Sequence, residues 1–403
     1  MLREQSDQLT PAIARLEPSV SAAQIPAAKG GPIPLAGAPL RAFDFVASLE
    51  SLRGLAALAV ALFHSFHLLP VDGGRVFAST LRDLKSADAL LMRLIMVPFN
   101  GGAAVSLFFV LSGFVLTLSL RRDARSALPK ARSFVGRRFL RIYPALAINL
   151  ALFVGVSASI AWWVPGFPIT RFDTRQLLSN LLLLDTPVNG ASWTLLVEIL
   201  AIPLVLFGHA VTRRFGLAAT LVLAGASVAI LFSPRYAFYT LIGTYAFMFF
   251  FGMLVAEFGR EGLIAVGAKA AKIGIILAIA SMMSARLLLG YGSLWSLLVE
   301  AIASAVLVGV LAFGPRLAVH DVLEVRPLRS LGRISYSYYL YHPVALGLVV
   351  PCLGWLLSEA ALAAHPFVGS TAIALISVGV TIPLAAASHM LVERPMIAIG
   401  RRL

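Results

Sequence analysis

Two ionisable residues on one apolar segment are the strongest candidates for chemistry in this chain of 403 residues. Arg53 and His64 flank the run 54–63, which is almost entirely hydrocarbon, and Glu50 stands three residues before Arg53. Eleven helical residues make about three turns, so both side chains would share a face, about 16 Å apart along the axis. Ionisable groups inside an apolar helix are expensive and therefore indicate function. The structural alternative is an interfacial arginine that snorkels and a histidine bonded to a backbone carbonyl.

A second group of basic residues follows the next apolar segment. Arg137, Arg138 and Arg141 stand at the start of an apolar run, with Tyr143 close behind them. Arg138 and Arg141 are three residues apart, so a helix would project them from one side. Paired guanidinium groups suit phosphate or pyrophosphate, and we predict that this group binds a nucleotide-like molecule. Anchoring at the membrane surface is the alternative explanation.

Glu198 is a carboxylate inside an apolar segment, about one and a half helical turns after Trp193. Such a carboxylate needs a basic partner, which a basic residue or a histidine from another segment could supply. Glu300 follows a second tryptophan in the same way, and Arg286 could pair with either carboxylate. Pairing with Arg286 would give that carboxylate a structural role.

The segment that begins near residue 333 carries a polar, aromatic face. Four tyrosines precede His342, which lies well inside the apolar run. We predict that Tyr336 and His342 contact a substrate; an aromatic belt at the membrane surface is the alternative. His67 lies one turn beyond His64 and could share its role. We expect the remaining histidines to be solvated or interfacial: His209, His320, His365 and His389.

The composition places these residues in a membrane protein. The chain is 59% hydrophobic and only 13% charged, with a mean hydropathy of +0.88. A soluble protein carries about twice that charge. The formal charge is +14, but the basic residues lie between apolar segments, which indicates membrane topology and not nucleic-acid binding. The single cysteine, Cys352, excludes an internal disulfide and a cysteine-built metal site, and we predict no bound metal.

Repeated apolar runs of about 20 residues predict an all-α transmembrane bundle of about ten spans. Segment 176–186 is too short to cross and could be re-entrant. Residues 1–42 are rich in Ala, Pro and Gly without a signal-peptide pattern, which predicts a disordered cytoplasmic tail. We predict that the membrane domain follows at 43–398 and that residues 399–403 form a short basic tail. The spans are predicted at 46–69, 103–120, 138–163, 192–210, 215–233, 237–257, 273–291, 295–313, 333–354 and 368–391.

The distribution of Lys and Arg predicts the orientation of these spans. The link 121–141 alone carries eight basic residues and one acidic residue. Basic residues concentrate in cytoplasmic loops. We therefore predict that this link and both chain termini face the cytoplasm.

Six motifs follow one another along the chain: Arg53-x10-His64 with Glu50, Phe108-Phe109-Val110-Leu111-Ser112-Gly113-Phe114, Arg137-Arg138-x-x-Arg141-Ile142-Tyr143-Pro144, Ser192-Trp193-Thr194-Leu195 with Glu198, Ile334-Ser335-Tyr336-Ser337 with His342, and Glu393-Arg394-Pro395. Packing alone would explain Gly113 in the second of them, because small residues let helices approach closely. Taken together and in order, these motifs resemble the acyltransferase-3 family of integral membrane acyltransferases. The acid before Arg53 is often Asp in that family and is Glu50 here, a conservative change.

The resemblance implies transfer of an acetyl or other short acyl group from acyl-CoA, with acetyl-CoA as the typical donor, to a hydroxyl of a glycan, by an enzyme of the bacterial inner membrane. His64 would be the general base, Arg53 would stabilise the oxyanion or hold a CoA phosphate, and Glu198 would orient the reacting groups. Direct transfer and an acyl-histidine intermediate are both open. CoA would contact Arg137, Arg138, Arg141 and Tyr143, and the acceptor would contact Glu50, Trp193, Tyr336 and His342.

The main alternative is a proton-coupled transporter or flippase for a sugar or lipid-linked substrate. Intramembrane Arg, His and Glu also suit proton-coupled transport. Against it, the sequence has no clear pair of interrupted helices in matching halves.

Overall fold

The computed structural model describes residues 42–69, 71, 76–78, 84–233 and 241–403. Within these residues the chain is predominantly helical and contains no β-strand, which confirms the predicted all-α class. The tail predicted for residues 1–42 lies outside the described residues, except for Ala42, at which the first helix begins.

Fifteen α-helices run through the described residues. A π-helical turn, His389–Glu393, joins the last two of them. The helices are α1 (Ala42–His67), α2 (Ala87–Met96), α3 (Gly101–Arg122), α4 (Ala127–Trp163), α5 (Thr174–Leu181), α6 (Trp193–Leu231), α7 (Leu241–Leu263), α8 (Ala268–Leu289), α9 (Leu294–Phe313), α10 (Ala318–Leu323), α11 (Arg326–Arg333), α12 (Ser335–Leu357), α13 (Glu359–Ala364), α14 (Pro366–Ser388) and α15 (Arg394–Gly400).

In the part of the chain that the structure describes, nine helical segments are long and apolar enough to cross a membrane. One of them contains α6, in which two helices meet at a kink at Gly216, with φ 71° and ψ −153°. Glycine adopts this positive φ without steric cost. The segment with α6 therefore holds both spans predicted at 192–210 and 215–233, so the nine segments account for the ten predicted spans. The region 176–186 contains the end of the eight-residue helix α5.

Helices α3 and α7 approach closely at paired glycines in the centre of the bundle. A Cβ atom on Gly113 would clash with the carbonyl oxygen of Phe249, and one on Gly252 would clash with the carbonyl oxygen of Val110. Small residues permit such backbone contact between membrane helices. The packing role predicted for Gly113 is confirmed.

Helix α1 carries both Arg53 and His64, and a second glycine contact fixes one of its ends. A Cβ on Gly54 would lie 2.6 Å from the backbone nitrogen of Gly332, and one on Gly332 would clash with the carbonyl oxygen of Glu50. This contact holds the Arg53 end of α1 against α11 and the start of α12.

Candidate active site

The histidine of α1 meets the histidine of α12 inside the bundle. His64 Nδ1 lies 2.9 Å from His342 Nε2. His342 is 1% exposed, and its Nδ1 lies 2.6 Å from the carbonyl oxygen of Tyr339. Pro343 explains why this carbonyl lacks its usual helical donor, because a proline has no N–H to donate to the carbonyl four residues before it.

These contacts favour one arrangement of the protons in the histidine pair. The carbonyl of Tyr339 can only accept, so His342 Nδ1 carries a hydrogen, and a neutral His342 then presents a bare Nε2. That nitrogen accepts from the Nδ1–H of His64, which leaves the lone pair of His64 on Nε2. Among the described residues, none donates a hydrogen bond to His64 Nε2. This nitrogen is therefore available to accept a proton.

An aromatic wall lies beside the histidine pair. The ring of His67 lies 5.4 Å from that of His64 and 5.3 Å from that of Phe77, centroid to centroid. Phe63 and Tyr291 continue the wall, with stacked rings whose centroids are 5.8 Å apart. His67 shares the surroundings of His64, but His64 is the residue that contacts His342.

A second polar place, which we call the arginine pocket, is assembled from five helices. Its volume is about 40 Å³, which is room for a few water-sized groups. Leu111 and Val115 supply its apolar lining. Its polar lining consists of Arg53 from α1, Ser112 from α3, Arg138 and Arg141 from α4, Glu198 from α6 and Tyr336 from α12.

The arginine pocket carries a net positive charge. Glu198 is the one carboxylate among its lining residues; it accepts a 2.9 Å hydrogen bond from Ser112 Oγ and lies 3.9 Å from Arg138. Tyr336 donates to a backbone carbonyl of α4 at 3.1 Å, and the guanidinium of Arg141 lies over its ring at 5.8 Å. One carboxylate facing three guanidinium groups gives the lining an excess of positive charge, which suits an anionic ligand; Glu393 and Glu50 interact with Arg53 from outside the lining.

The structure does not bring all predicted catalytic residues to one place. Arg53 and His64 lie on the same helix, about 16 Å apart by the helical rise. Glu198 and Tyr336 line the arginine pocket with Arg53, whereas His342 contacts His64. The candidate site therefore has an anion-binding part and a histidine part, and α1 and α12 contribute to both.

Arg137 and Tyr143, predicted with the CoA-binding residues, lie outside the arginine pocket. Arg137 is 3.5 Å from Asp123, which also forms a 2.7 Å ion pair with Arg125. Hydrogen bonds from Arg125 hold the pKa of the Asp123 carboxyl well below its usual range. Tyr143 stacks on Phe139, with centroids 5.2 Å apart. Arg137 is thus already paired with a carboxylate of the chain.

Trp193 and Glu50, predicted to contact the acceptor, pack against residues other than the histidine pair. The ring of Trp193 packs against those of Phe109 and Tyr245, at 6.1 and 5.2 Å between centroids. Glu50 is partly exposed at the contact between α1 and α11.

The pairing of Arg286, which the sequence leaves open, is with Glu300. Two bonds of 2.7 and 3.1 Å join the guanidinium to the carboxylate, which is fully buried. Asn100 and Ser106 donate to the same carboxylate at 3.3 and 2.9 Å. All members of this network satisfy one another, which indicates a structural role.

Two of the histidines predicted to be solvated or interfacial are buried, so the prediction is wrong for them. His209 and His320 are each 7% exposed. His209 Nδ1 lies 3.3 Å from Glu257, and His320 Nε2 lies 3.3 Å from the backbone carbonyl of Leu311. His209 lies in α6 before its kink and His320 lies in the short helix α10, and each receives its polar partner from another helix, α7 and α9 respectively.

Sequence reasoning missed roles for Ser112, Pro343 and Glu393. Ser112 binds Glu198, as described above. The buried carboxylate of Glu393 lies 3.1 Å from Ser337 Oγ and 3.0 Å from His389 Nδ1. All three stand in or next to the motifs quoted above. The dipeptide His342-Pro343 carried the most specific signal, because a proline in a helix leaves the carbonyl four residues before it free to accept from a side chain.

A helical membrane bundle with buried arginines and a histidine pair agrees with a membrane-bound transferase. The family model described as an acyltransferase domain, that of acyltransferase-3, matches residues 46–388. The chain therefore belongs to this family and is a multi-pass, membrane-bound acyltransferase. This membership favours the acyltransferase interpretation over the transporter.

The chain is similar to a bacterial exopolysaccharide production protein over most of its length. The exopolysaccharide production protein ExoZ of Rhizobium meliloti (strain 1021) is 28% identical over 324 residues, which cover 75% of this chain and 91% of that protein. No solved structure matches the chain.

Proposed function

We propose that this protein transfers an acetyl or other short acyl group from acyl-CoA to a hydroxyl of a polysaccharide, in the bacterial inner membrane with both termini in the cytoplasm. Membership of the acyltransferase-3 family supports the reaction class. The similarity to an exopolysaccharide production protein supports the acceptor class. The basic link 121–141 supports the orientation.

The observation that carries the proposal is the ordered chain from Tyr339 through His342 to His64. A base must present a bare nitrogen to the acceptor hydroxyl, and the two short contacts leave His64 Nε2 in that state. When His64 gains a proton, its Nδ1–H still donates to His342, so the imidazolium keeps its partner. His342 thereby orients His64, as a second residue orients the base in hydrolytic triads.

The reaction then balances with His64 alone as the proton carrier. The acceptor hydroxyl loses its proton to His64 Nε2 while its oxygen attacks the carbonyl carbon of the thioester. The C–S bond breaks, and the CoA thiolate takes the proton back from His64. An acyl-histidine route would use the same lone pair, with the imidazole as nucleophile.

The donor's phosphates are the proposed ligands of the arginine pocket. Two of its three guanidinium charges have no carboxylate among the lining residues, and guanidinium groups bind phosphate well. The helical rise puts Arg53 about 16 Å from His64, too far to stabilise an oxyanion there. We therefore assign Arg53, Arg138 and Arg141 to phosphate binding. The extended pantetheine arm would carry the thioester to His64.

The test is transfer of radiolabel from acetyl-CoA to bacterial exopolysaccharide, with membranes that contain the protein. Wild type should incorporate label, and His64→Ala should lose at least about a hundredfold in rate, as removal of a general base costs. His365→Ala should match wild type, because the side chain of His365 is exposed. Equal incorporation by wild type and His64→Ala at matched protein levels would remove His64 from the chemistry. Absence of transfer from acetyl-CoA and longer acyl-CoAs would refute the donor class.

A further inference from the structure

Three arginines of α11 form a basic surface outside the candidate active site. Arg326, Arg329 and Arg333 are spaced by three and four residues, so they project from one face of the helix. Together with Ser330 they line a surface recess of about 340 Å³, which we call the basic recess. All four residues are exposed.

The charges of the basic recess are uncompensated within the described chain. Like charges three and four residues apart destabilise a helix. Arg333 donates to Ser330 Oγ at 2.9 Å, and no carboxylate of the described residues lies within 4 Å of any of the three guanidinium groups. Arg316, on the preceding segment, instead pairs with Asp321 and Glu324. An external anion would relieve the repulsion on α11.

The basic recess is linked to the arginine pocket along the chain, through the contact between α11 and α1. Gly332 packs on the turn of α1 from Glu50 to Gly54, next to Arg53, and Arg333 follows Gly332 directly. Tyr336, three residues later, lines the arginine pocket. The recess and the pocket therefore lie next to the same contact between α1 and α11, and a ligand that reaches both would pass over the outside of this contact.

We propose that the basic recess binds the 3′-phosphate of the acyl-CoA donor. This rests on the proposed function, since it requires acyl-CoA as donor. The arginine pocket holds about 40 Å³, too little for a nucleotide, so the adenosine end must lie outside it. The 3′-phosphate is the anionic group farthest from the thioester, and the basic recess lies on the side of Arg53 away from His64. Anionic lipid headgroups offer the same phosphate chemistry and are the competing source.

The experiment compares CoA with 3′-dephospho-CoA as ligands of the purified full-length protein in nanodiscs of phosphatidylcholine. Hydrogen bonds to a charged group contribute about 1.5–3 kcal/mol, so wild type should bind CoA at least about tenfold more tightly than dephospho-CoA. The combined variant Arg326→Gln, Arg329→Gln, Arg333→Gln should lose this preference and keep its affinity for dephospho-CoA, which also reports that it is folded. A control that removes three exposed charges elsewhere, Lys269→Gln, Arg401→Gln, Arg402→Gln, should keep the preference.

A preference for CoA that survives in the α11 variant would overturn this assignment while leaving the proposed function intact. If that variant also loses a response of the wild type to phosphatidylglycerol added to the nanodiscs, the recess is a lipid headgroup site. If wild type bound neither CoA nor acetyl-CoA, the proposed function and this inference would fail together.

Discussion

Pro343 offers a sharp test of the histidine arrangement because it lies outside the reacting groups. In a regular helix the N–H of residue 343 would donate to the carbonyl of Tyr339, which here accepts from His342 Nδ1 at 2.6 Å. Pro343→Ala supplies that N–H and sets two donors against one carbonyl. We expect His342 to be held less firmly in the tautomer that leaves His64 Nε2 bare.

The expected loss in the rate of acyl transfer follows from the net free energy of one hydrogen bond. Such a bond contributes about 1 kcal/mol, so weakening it should lower the rate of acyl transfer about fivefold. The assay is the initial rate of transfer from acetyl-CoA at matched protein levels, with kcat and KM for acetyl-CoA determined separately. The loss should fall on kcat, because the arginine pocket that we assign to the donor is distant from Pro343.

The same helix provides a matched control. Pro351 also lies inside α12, two turns beyond the histidine pair, and Pro351→Ala restores a bond to the carbonyl of Gly347 instead. This variant should keep the wild-type rate. Equal rates for Pro343→Ala and wild type would refute the reasoning, and an equal loss in both variants would assign the effect to helix straightening and not to the carbonyl of Tyr339.

Two further predictions concern stability, measured as thermal unfolding in detergent. Arg286→Met leaves the fully buried carboxylate of Glu300 without its basic partner and should lower the free energy of unfolding by about 3–5 kcal/mol. Arg316→Met removes an exposed ion pair and should lower it by at most about 1 kcal/mol. Similar losses in the two variants would contradict a structural role for the buried pair. Gly252→Ala forces α3 and α7 apart and should lower the free energy of unfolding by about 1–3 kcal/mol. Gly225→Ala has nothing within 4 Å of its new Cβ and should be neutral or slightly stabilising. An unchanged melting temperature for Gly252→Ala would show that the helices can separate freely.

The number and placement of the membrane spans follow from the sequence, because membrane spans are local features. Each apolar run of about 20 residues identifies itself without reference to its neighbours. The one disagreement in counting, at Gly216, arises because a kink joins two spans into one helical segment. The positive φ of Gly216 depends on the packing of the chain, which periodicity does not report.

The partners of the buried charges could not be predicted in the same way. Glu198 and Glu300 stand at equivalent places after a tryptophan, yet one lies 3.9 Å from Arg138 and the other binds Arg286. Which helix faces which is decided by tertiary packing, such as the glycine contact between α3 and α7. The spacing of Arg53 and His64 on one helix was informative, because it already separates the two parts of the site by about 16 Å.

The protonation of His64 tests the central claim most directly. Nitrogen-15 NMR of protein labelled at histidine, in lipid at neutral pH, distinguishes protonated from bare ring nitrogens, and comparison with His64→Gln assigns the signals of this residue. We predict that His64 carries its proton on Nδ1, shared with His342 Nε2, and presents a bare Nε2. A proton on His64 Nε2 with a bare Nδ1 would contradict the account, because the nitrogen proposed to accept the hydroxyl proton would already be occupied.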